Sequence, residues 1–402
     1  MLAPYDFFAP NHIVFGWGRR AEIGSLAKSL GSRAFVISGS RTLEANGTID
    51  SLCQLMQSAG VTTEQLATQM REPEVKDVDT VVEQLMSLGV REGDCVVAIG
   101  GGSAIDLAKA VAALATNRQG ESVKDFLEGV GRGLKIECPP LPLLAMPTTA
   151  GTGTEATKNA VISSFDPPFK KSLRSDLMVP KIVLVDPELT VSLPRDITAH
   201  TGMDAITQLI ESLISRRAKP IPQAICQQGL DLALPAMFKL SRDLMNQSAR
   251  EAMSHAALLS GIALANSGLG FAHGVAAGLG VHAKVPHGLA CAVMLPSALR
   301  LNQEVSKNEL GPLGQFCFAA FRDEVGLPPF GLTTTNLESA TRLIQVIESL
   351  NERLGIPNRL SALGVSREQL PAIAKSSRGN SMDGNPRDIS DEELLATLEK
   401  VW

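Results

Sequence analysis

The sequence predicts an α/β N-terminal domain built on a parallel sheet, followed by an all-α C-terminal domain. Three observations carry this. Short apolar runs alternate with helical patterns through the first half of the chain, and strand–helix alternation implies a parallel sheet with crossover helices. After Leu193-Pro194 such runs become rare, and long segments rich in Ala, Leu and Met replace them. The length, 402 residues, suffices for two domains with a large core.

The elements follow in order. "AFVIS" (34–38) is an apolar run closed by Gly39, and "DCVVAIGGGS" (94–103) is another closed by glycines. "PLLAMPTT" (142–149) and "KIVLVDP" (181–187) also read as strands. Helical patterns cover 77–89 and 104–115. Beyond residue 198 the segments 199–215, 222–245, 248–268, 271–281 and 338–354 predict helices, punctuated by Pro220, Pro222, Pro286, Pro296, Pro357 and Pro371. The expected division is therefore 1–196 and 197–402. No internal repeat or low-complexity segment is present.

Composition excludes several classes. Hydrophobic residues make up 44% and charged residues 20%, as in an ordinary soluble protein. The net charge is -5 with no basic block, which argues against a nucleic-acid surface. Cys53, Cys95, Cys138, Cys226, Cys291 and Cys317 form no CxxC pair, so buried free thiols are expected rather than disulfides. Pro4 and Asp6 interrupt any leader-like apolar run, and no stretch is long enough to span a bilayer. The expectation is a cytoplasmic protein with neither membrane nor nucleic-acid partner.

Two loops suggest a nucleotide. "VVAIGGGSAIDLAKAVA" reads as strand, glycine turn and helix. Bare N–H groups at Gly100, Gly101 and Gly102, with the positive end of the helix behind them, suit a pyrophosphate. Ser103 is placed to cap the helix or to donate to a phosphate, and Asp106 to face the same mouth. A tight βα turn without ligand has the same pattern. "PTTAGTGTEATKNAVI" (147–162) then puts five threonines after another strand, at the sheet edge where open α/β folds take ligands.

Six histidines occur, and His273, His282 and His287 cluster. In "GMDAITQLIES" (202–212), Asp204 and Gln208 stand four apart and share a helix face. Asp204, His273 and His287 form a metal-ligand set if their elements converge; otherwise the histidines are satisfied core residues. His282 is the weakest ligand, better placed to line a pocket or shuttle a proton.

Taken together, "GGGSAID" (100–106), "PTTAGTGTEAT" (147–157), "VDPELT" (185–190), "TGMDAITQLIES" (201–212), "HGVAAGLG" (273–280), "PHGLACAVMLP" (286–296) and "NPRDISDEELLATLE" (385–399) resemble the iron-containing, group III alcohol dehydrogenases of the dehydroquinate-synthase-like superfamily. The resemblance runs from end to end of the chain. It implies a dinucleotide-binding α/β domain, a helical domain, an active site between them, and a dimer or larger homo-oligomer. It implies NAD(P)-linked interconversion of a small alcohol and its carbonyl compound. It places Gly101, Gly102 and Ser103 on the cofactor pyrophosphate, Asp106 near the nicotinamide end, and Thr148, Thr149, Thr152 and Thr157 along the cofactor cleft. Lys170 matches a cofactor-facing lysine, with Lys171 as rival. The implied metal ligands are Asp204, His273, His287 and, where the family carries a histidine, Gln208. A further histidine common near the metal is Ala277 here.

Three readings of Gln208 follow. A divalent metal, iron or zinc, is held by Asp204 and the two histidines, as in the related glycerol dehydrogenases, with Gln208 contributing a weak amide oxygen or orienting a metal-bound water. Alternatively the metal is lost and Gln208 bonds substrate directly, or the chain binds nucleotide without turnover. With a metal, the substrate oxygen meets a Lewis acid, and His282 is the candidate general base. A dehydroquinate-synthase-like lyase is disfavoured, because residues 250–300 hold only Arg250, Lys284 and Arg300 as basic groups. "AFVISGSRTL" offers Arg41 and no acid where many NAD-linked relatives carry Asp, leaving both NAD and NADP open.

Overall fold

The computed structural model describes residues 4–326 and 334–402. The chain forms two compact units, Phe7–Leu193 and a second made of Pro194–Trp402 with the N-terminal residues up to Asp6. The division falls a little before the expected one because Pro194 is already the N-cap of the first helix of the second unit.

The first unit comprises β1 (His12–Phe15), α1 (Ile23–Leu30), β2 (Arg33–Gly39), α2 (Arg41–Ala45), α3 (Thr48–Ser58), β3 (Thr62–Thr68), α4 (Val75–Ser87), β4 (Asp94–Gly100), α5 (Gly102–Thr116), β5 (Leu143–Pro147), β6 (Asn159–Phe165), β7 (Pro168–Arg174) and β8 (Ile182–Val185). Six strands make one sheet in the order β1-β8-β5-β4-β2-β3, and every pair in it is parallel. β6 and β7 form a separate antiparallel hairpin.

Strand alternation divides the core between the two sheet faces. Phe35, Val96, Ala98 and Ala145 pack with Val78, Leu85 and the α5 residues Leu107 and Val111. Val36, Val97, Ile99 and Met146 pack on the other face with Ile23, Leu52 and Met56. β4 is buried along its whole length, so after Asp94 its sequence is a continuous apolar run. The edge strand β3, "TTEQLAT", is mostly exposed, and its polar composition hides it from hydrophobic patterning.

Chain order reverses across the sheet between β2 and β4: β3 follows β2 outward on one side, and β5 and β8 follow β4 on the other. The carboxyl ends beside such a switch point are where open parallel sheets bind ligands. Here they are Gly39 and Gly100, register partners at the ends of β2 and β4.

The second unit is helical: α6 (Arg195–Ile214), α7 (Pro220–Leu240), α8 (Gln247–Asn266), α9 (Phe271–Ala283), α10 (His287–Asn302), α11 (Lys307–Val325), α12 (Asn336–Arg353), α13 (Leu370–Ser376) and α14 (Asp391–Val401). Pro296, expected to punctuate, lies inside α10. It forfeits a backbone hydrogen bond, but the helix is buried from Ala290 to Leu299, and that packing carries it through. α11 escaped the hydrophobic pattern; its two glycines and a proline are poor helix formers. Among the described residues no single helix is long and apolar enough to cross a membrane.

Candidate active site

In the second unit, α6, α9 and α10 bring four donors together. Asp204 projects from the middle of α6, His273 from the first turn of α9, and His287 and Cys291 from the first two turns of α10. One ligand-type atom from each lies within 4.8 Å of all the others. His273 Nε2 is 3.4 Å and His287 Nε2 3.8 Å from Asp204 Oδ1. Cys291 Sγ is 3.8 Å from His287 Nε2.

The approach of α10 to α6 depends on Gly288. A Cβ there would fall 2.4 Å from the His200 carbonyl oxygen of α6, a backbone atom that cannot swing aside. With no side chain, the first turn of α10 settles against α6 and carries His287 to Asp204.

Glu211, two turns beyond Asp204 on α6, organises the other side. Its carboxylate accepts N–H bonds from Gly270 at 3.0 Å, Ala272 at 2.6 Å and His273 at 3.3 Å, capping α9. The same carboxylate accepts the His273 Nδ1 proton at 2.7 Å. With Nδ1 so engaged, Nε2 is the ring nitrogen that faces Asp204.

In the first unit, Gly101 is the N-cap of α5 and Gly102 its first residue. The helix thus begins before Ser103, which sits inside the first turn and does not cap it. A Cβ on Gly102 would lie 2.8 Å from Thr152 Cγ2, so the missing side chain lets the threonine loop close over the turn. Thr149 stands likewise against Gly101.

Thr148, Thr157 and Asp106 are buried behind that surface. Asp106 accepts from Thr154 Oγ1 at 2.6 Å and from the Val161 N–H at 3.1 Å. Lys109, one turn on, donates to Thr157 Oγ1 and to the Asn159 carbonyl, both at 2.7 Å. Burial pulls Lys109 down to about 8, against the attraction of Asp106 and Glu155, and pushes Asp106 above its ordinary range. α5 therefore anchors the threonine loop from beneath.

Models of two domains match this chain: iron-containing alcohol dehydrogenase over residues 10–187, and the C-terminal domain of the same family over residues 198–402. The chain belongs to the iron-containing alcohol dehydrogenase family. It is 31% identical over 398 residues to the NAD-dependent methanol dehydrogenase of Bacillus methanolicus, covering 98% of this chain and 99% of that one. It is 28% identical over 403 residues to the NADPH-dependent butanol dehydrogenase of Clostridium saccharobutylicum, covering 98% and 97%. A crystal structure of a 1,3-propanediol oxidoreductase superposes with a TM-score of 0.89 at 27% identity, covering 100% of both chains.

An iron-containing alcohol dehydrogenase implies a divalent cation, and the donor cluster fits one. Asp204 Oδ1 and His273 Nε2 are buried without a hydrogen-bond partner, a costly state unless something binds them. Nitrogen and oxygen ligands about 2.0–2.1 Å from one ion at tetrahedral angles lie about 3.4 Å apart, close to the separations found. Burial would push the Asp204 carboxyl up, but His287 and His273 hold it below its ordinary value. Burial pushes the Cys291 thiol up to about 12.

The other sequence candidates make contacts of their own. Gln208 donates through Nε2 to Ser260 Oγ of α8 at 2.9 Å. His282 stands nine residues after His273, roughly 14 Å further along α9; its Nε2 meets Ser376 Oγ of α13 at 2.7 Å. Lys170 lies in β7 with Nζ 2.5 Å from Glu72 Oε1. Arg41 is exposed at the start of α2. Glu44, one turn on, accepts from Ser38 Oγ at 2.7 Å and Thr68 Oγ1 at 2.8 Å, putting an acid beside the carboxyl ends of β2 and β3.

Sequence reasoning missed Cys291, Glu211 and Glu44. The first had a legible signal: in "HGLAC" the cysteine follows His287 by four residues, the spacing that singled out Asp204 and Gln208. Glu211 had none, because a carboxylate that caps a distant helix looks in sequence like any helical surface charge.

Proposed function

We propose that this chain is a metal-dependent, NAD(P)-linked oxidoreductase interconverting a small alcohol and its aldehyde or ketone. The convergence of Asp204, His273 and His287 on one buried point carries this reading. These side chains hold a divalent cation, and Glu211 fixes the His273 tautomer. When bound, the cation supplies Lewis acidity toward the substrate oxygen and the nicotinamide carries the hydride.

The N–H groups of Gly101, Gly102 and Ser103 at the start of α5 receive the pyrophosphate. Thr149 and Thr152 line the cofactor surface above them, while Thr148, Thr157 and Asp106 hold that surface in place. His282 is left out of the proton path: its imidazole is engaged by Ser376 at the far end of α9. Lys170 is a hairpin residue paired with Glu72.

The coenzyme is read as either dinucleotide. Arg41 suits a 2′-phosphate, while Glu44 suits a ribose hydroxyl. The relatives named above are NAD-dependent in one case and NADPH-dependent in another.

The test is a rate measurement with NADH and NADPH on a panel of short-chain aldehydes, using protein stripped by a chelator and then restored with zinc or ferrous iron. Turnover is expected only after restoration. Full turnover by stripped protein of confirmed zero metal content would remove the metal from the reading.

A further inference from the structure

We infer that Cys291 is the fourth protein ligand of the cation, completing an Asp–His–His–Cys set. This rests on the metal-dependent reading above and specifies the site's chemistry.

The argument begins with helix geometry. His287 and Cys291 are four residues apart on α10, so both project from one face one turn apart. His287 sits in the cluster, so Cys291 is carried there too. Its Sγ is 3.8 Å from His287 Nε2, within the group whose donor atoms lie within 4.8 Å of one another. A sulfur ligand about 2.3 Å from an ion that also holds nitrogen at about 2.0–2.1 Å lies roughly 3.6 Å from that nitrogen, near what is seen.

Two observations make this more than a cysteine near a histidine. Asp204 Oδ1 and His273 Nε2 are buried, 3.4 Å apart and without a hydrogen bond, an arrangement that a shared cation would satisfy. On α6, Gln208 offers only a neutral amide oxygen, a weaker ligand for zinc than a cysteine sulfur, and its amide nitrogen donates to Ser260 on α8. On this reading the fourth strong donor comes from α10.

Binding breaks the thiol S–H bond and forms a sulfur–metal bond, and the proton leaves to solvent. A thiolate is soft, so the set favours zinc over iron and disfavours magnesium strongly.

The experiment uses the full-length protein stripped of metal and reloaded with one equivalent of cobalt(II) or zinc(II). Cobalt-loaded wild type is expected to show a thiolate-to-cobalt charge-transfer band in the near ultraviolet. C291S is expected to lose that band, to keep the visible cobalt bands, and to bind at least 10-fold more weakly; C138S, which removes the exposed thiol, keeps the band. X-ray absorption of zinc-loaded wild type is expected to require one sulfur neighbour, a readout that holds even where C291S fails to fold. One bound cation with no sulfur neighbour, or a band that survives in C291S, overturns the assignment and leaves the metal-dependent reading standing. Wild type that takes up neither cation overturns both.

Discussion

Glu211 Oε2 lies 2.7 Å from Nδ1 of His273, and the same carboxylate caps the helix that carries that histidine. One buried side chain thus positions both the helix and the ring of a proposed ligand. Groups that orient a metal-bound imidazole this way typically contribute 10–100-fold to metal affinity. E211Q is expected to lower zinc affinity by about that factor with the fold retained, read by competition against a chromophoric chelator. E211A is expected to go further, costing about 3 kcal/mol of folding stability, because buried N–H groups lose their acceptor. Unchanged zinc affinity in E211Q would mean the carboxylate is only a helix cap.

Gly288 governs whether α10 can reach α6. G288A introduces a Cβ 2.4 Å from the His200 carbonyl oxygen, an overpacking expected to cost about 1–3 kcal/mol. Because the displaced helix carries His287 and Cys291, metal content should fall along with stability. Urea unfolding and metal analysis on the same sample test the link. Lost stability with full metal content would show that α10 shifts elsewhere along its length.

Lys109 ties α5 to the threonine loop through Thr157 and Asn159. K109M keeps much of the volume and removes the donor. The expected result is a KM for the dinucleotide raised several-fold, with kcat reduced less, and a thermal stability lowered by about 2 kcal/mol. A kcat loss at unchanged cofactor KM would instead place Lys109 in the chemistry.

Arg33 and Asp94 pair at the first residues of β2 and β4, at 2.9 and 2.6 Å. Burial pushes the Asp94 carboxyl up, but the Arg33 guanidinium and the Arg91 N–H outweigh it and hold the value below the ordinary range. A depressed folded-state value stabilises the fold above the unfolded carboxylate pKa of about 3.9. That contribution is lost as pH falls below it, through the folded value. D94N, which leaves Arg33 without its counter-charge, is expected to cost about 3 kcal/mol at pH 7. The gap from wild type should narrow below pH 4, as urea unfolding across pH would record. A gap independent of pH would mean that shape rather than charge holds the pair.

The family, the order of the two folds and most of the donors were legible along the chain. β4 and β5 announce themselves because a strand covered on both faces must be apolar throughout. The glycine turn follows directly from the run of Gly100, Gly101 and Gly102. Asp204, His273 and His287 are chemically conspicuous in a chain with few histidines. The polar edge strand β3 and the glycine-bearing α11 were not legible, since their residues obey neighbours rather than local pattern.

What only the tertiary structure decided is which donors meet. Sequence spacing relates residues on a single helix, so it paired Asp204 with Gln208; it cannot say which faces of α6, α9 and α10 turn toward one another. The packing of α10 on α6 through Gly288 makes that choice. It brings in Cys291, leaves Gln208 bonded to Ser260, and holds His282 at the far end of α9. Convergence of side chains from three helices depends on interhelical contacts, and those arise from packing between segments far apart in the chain.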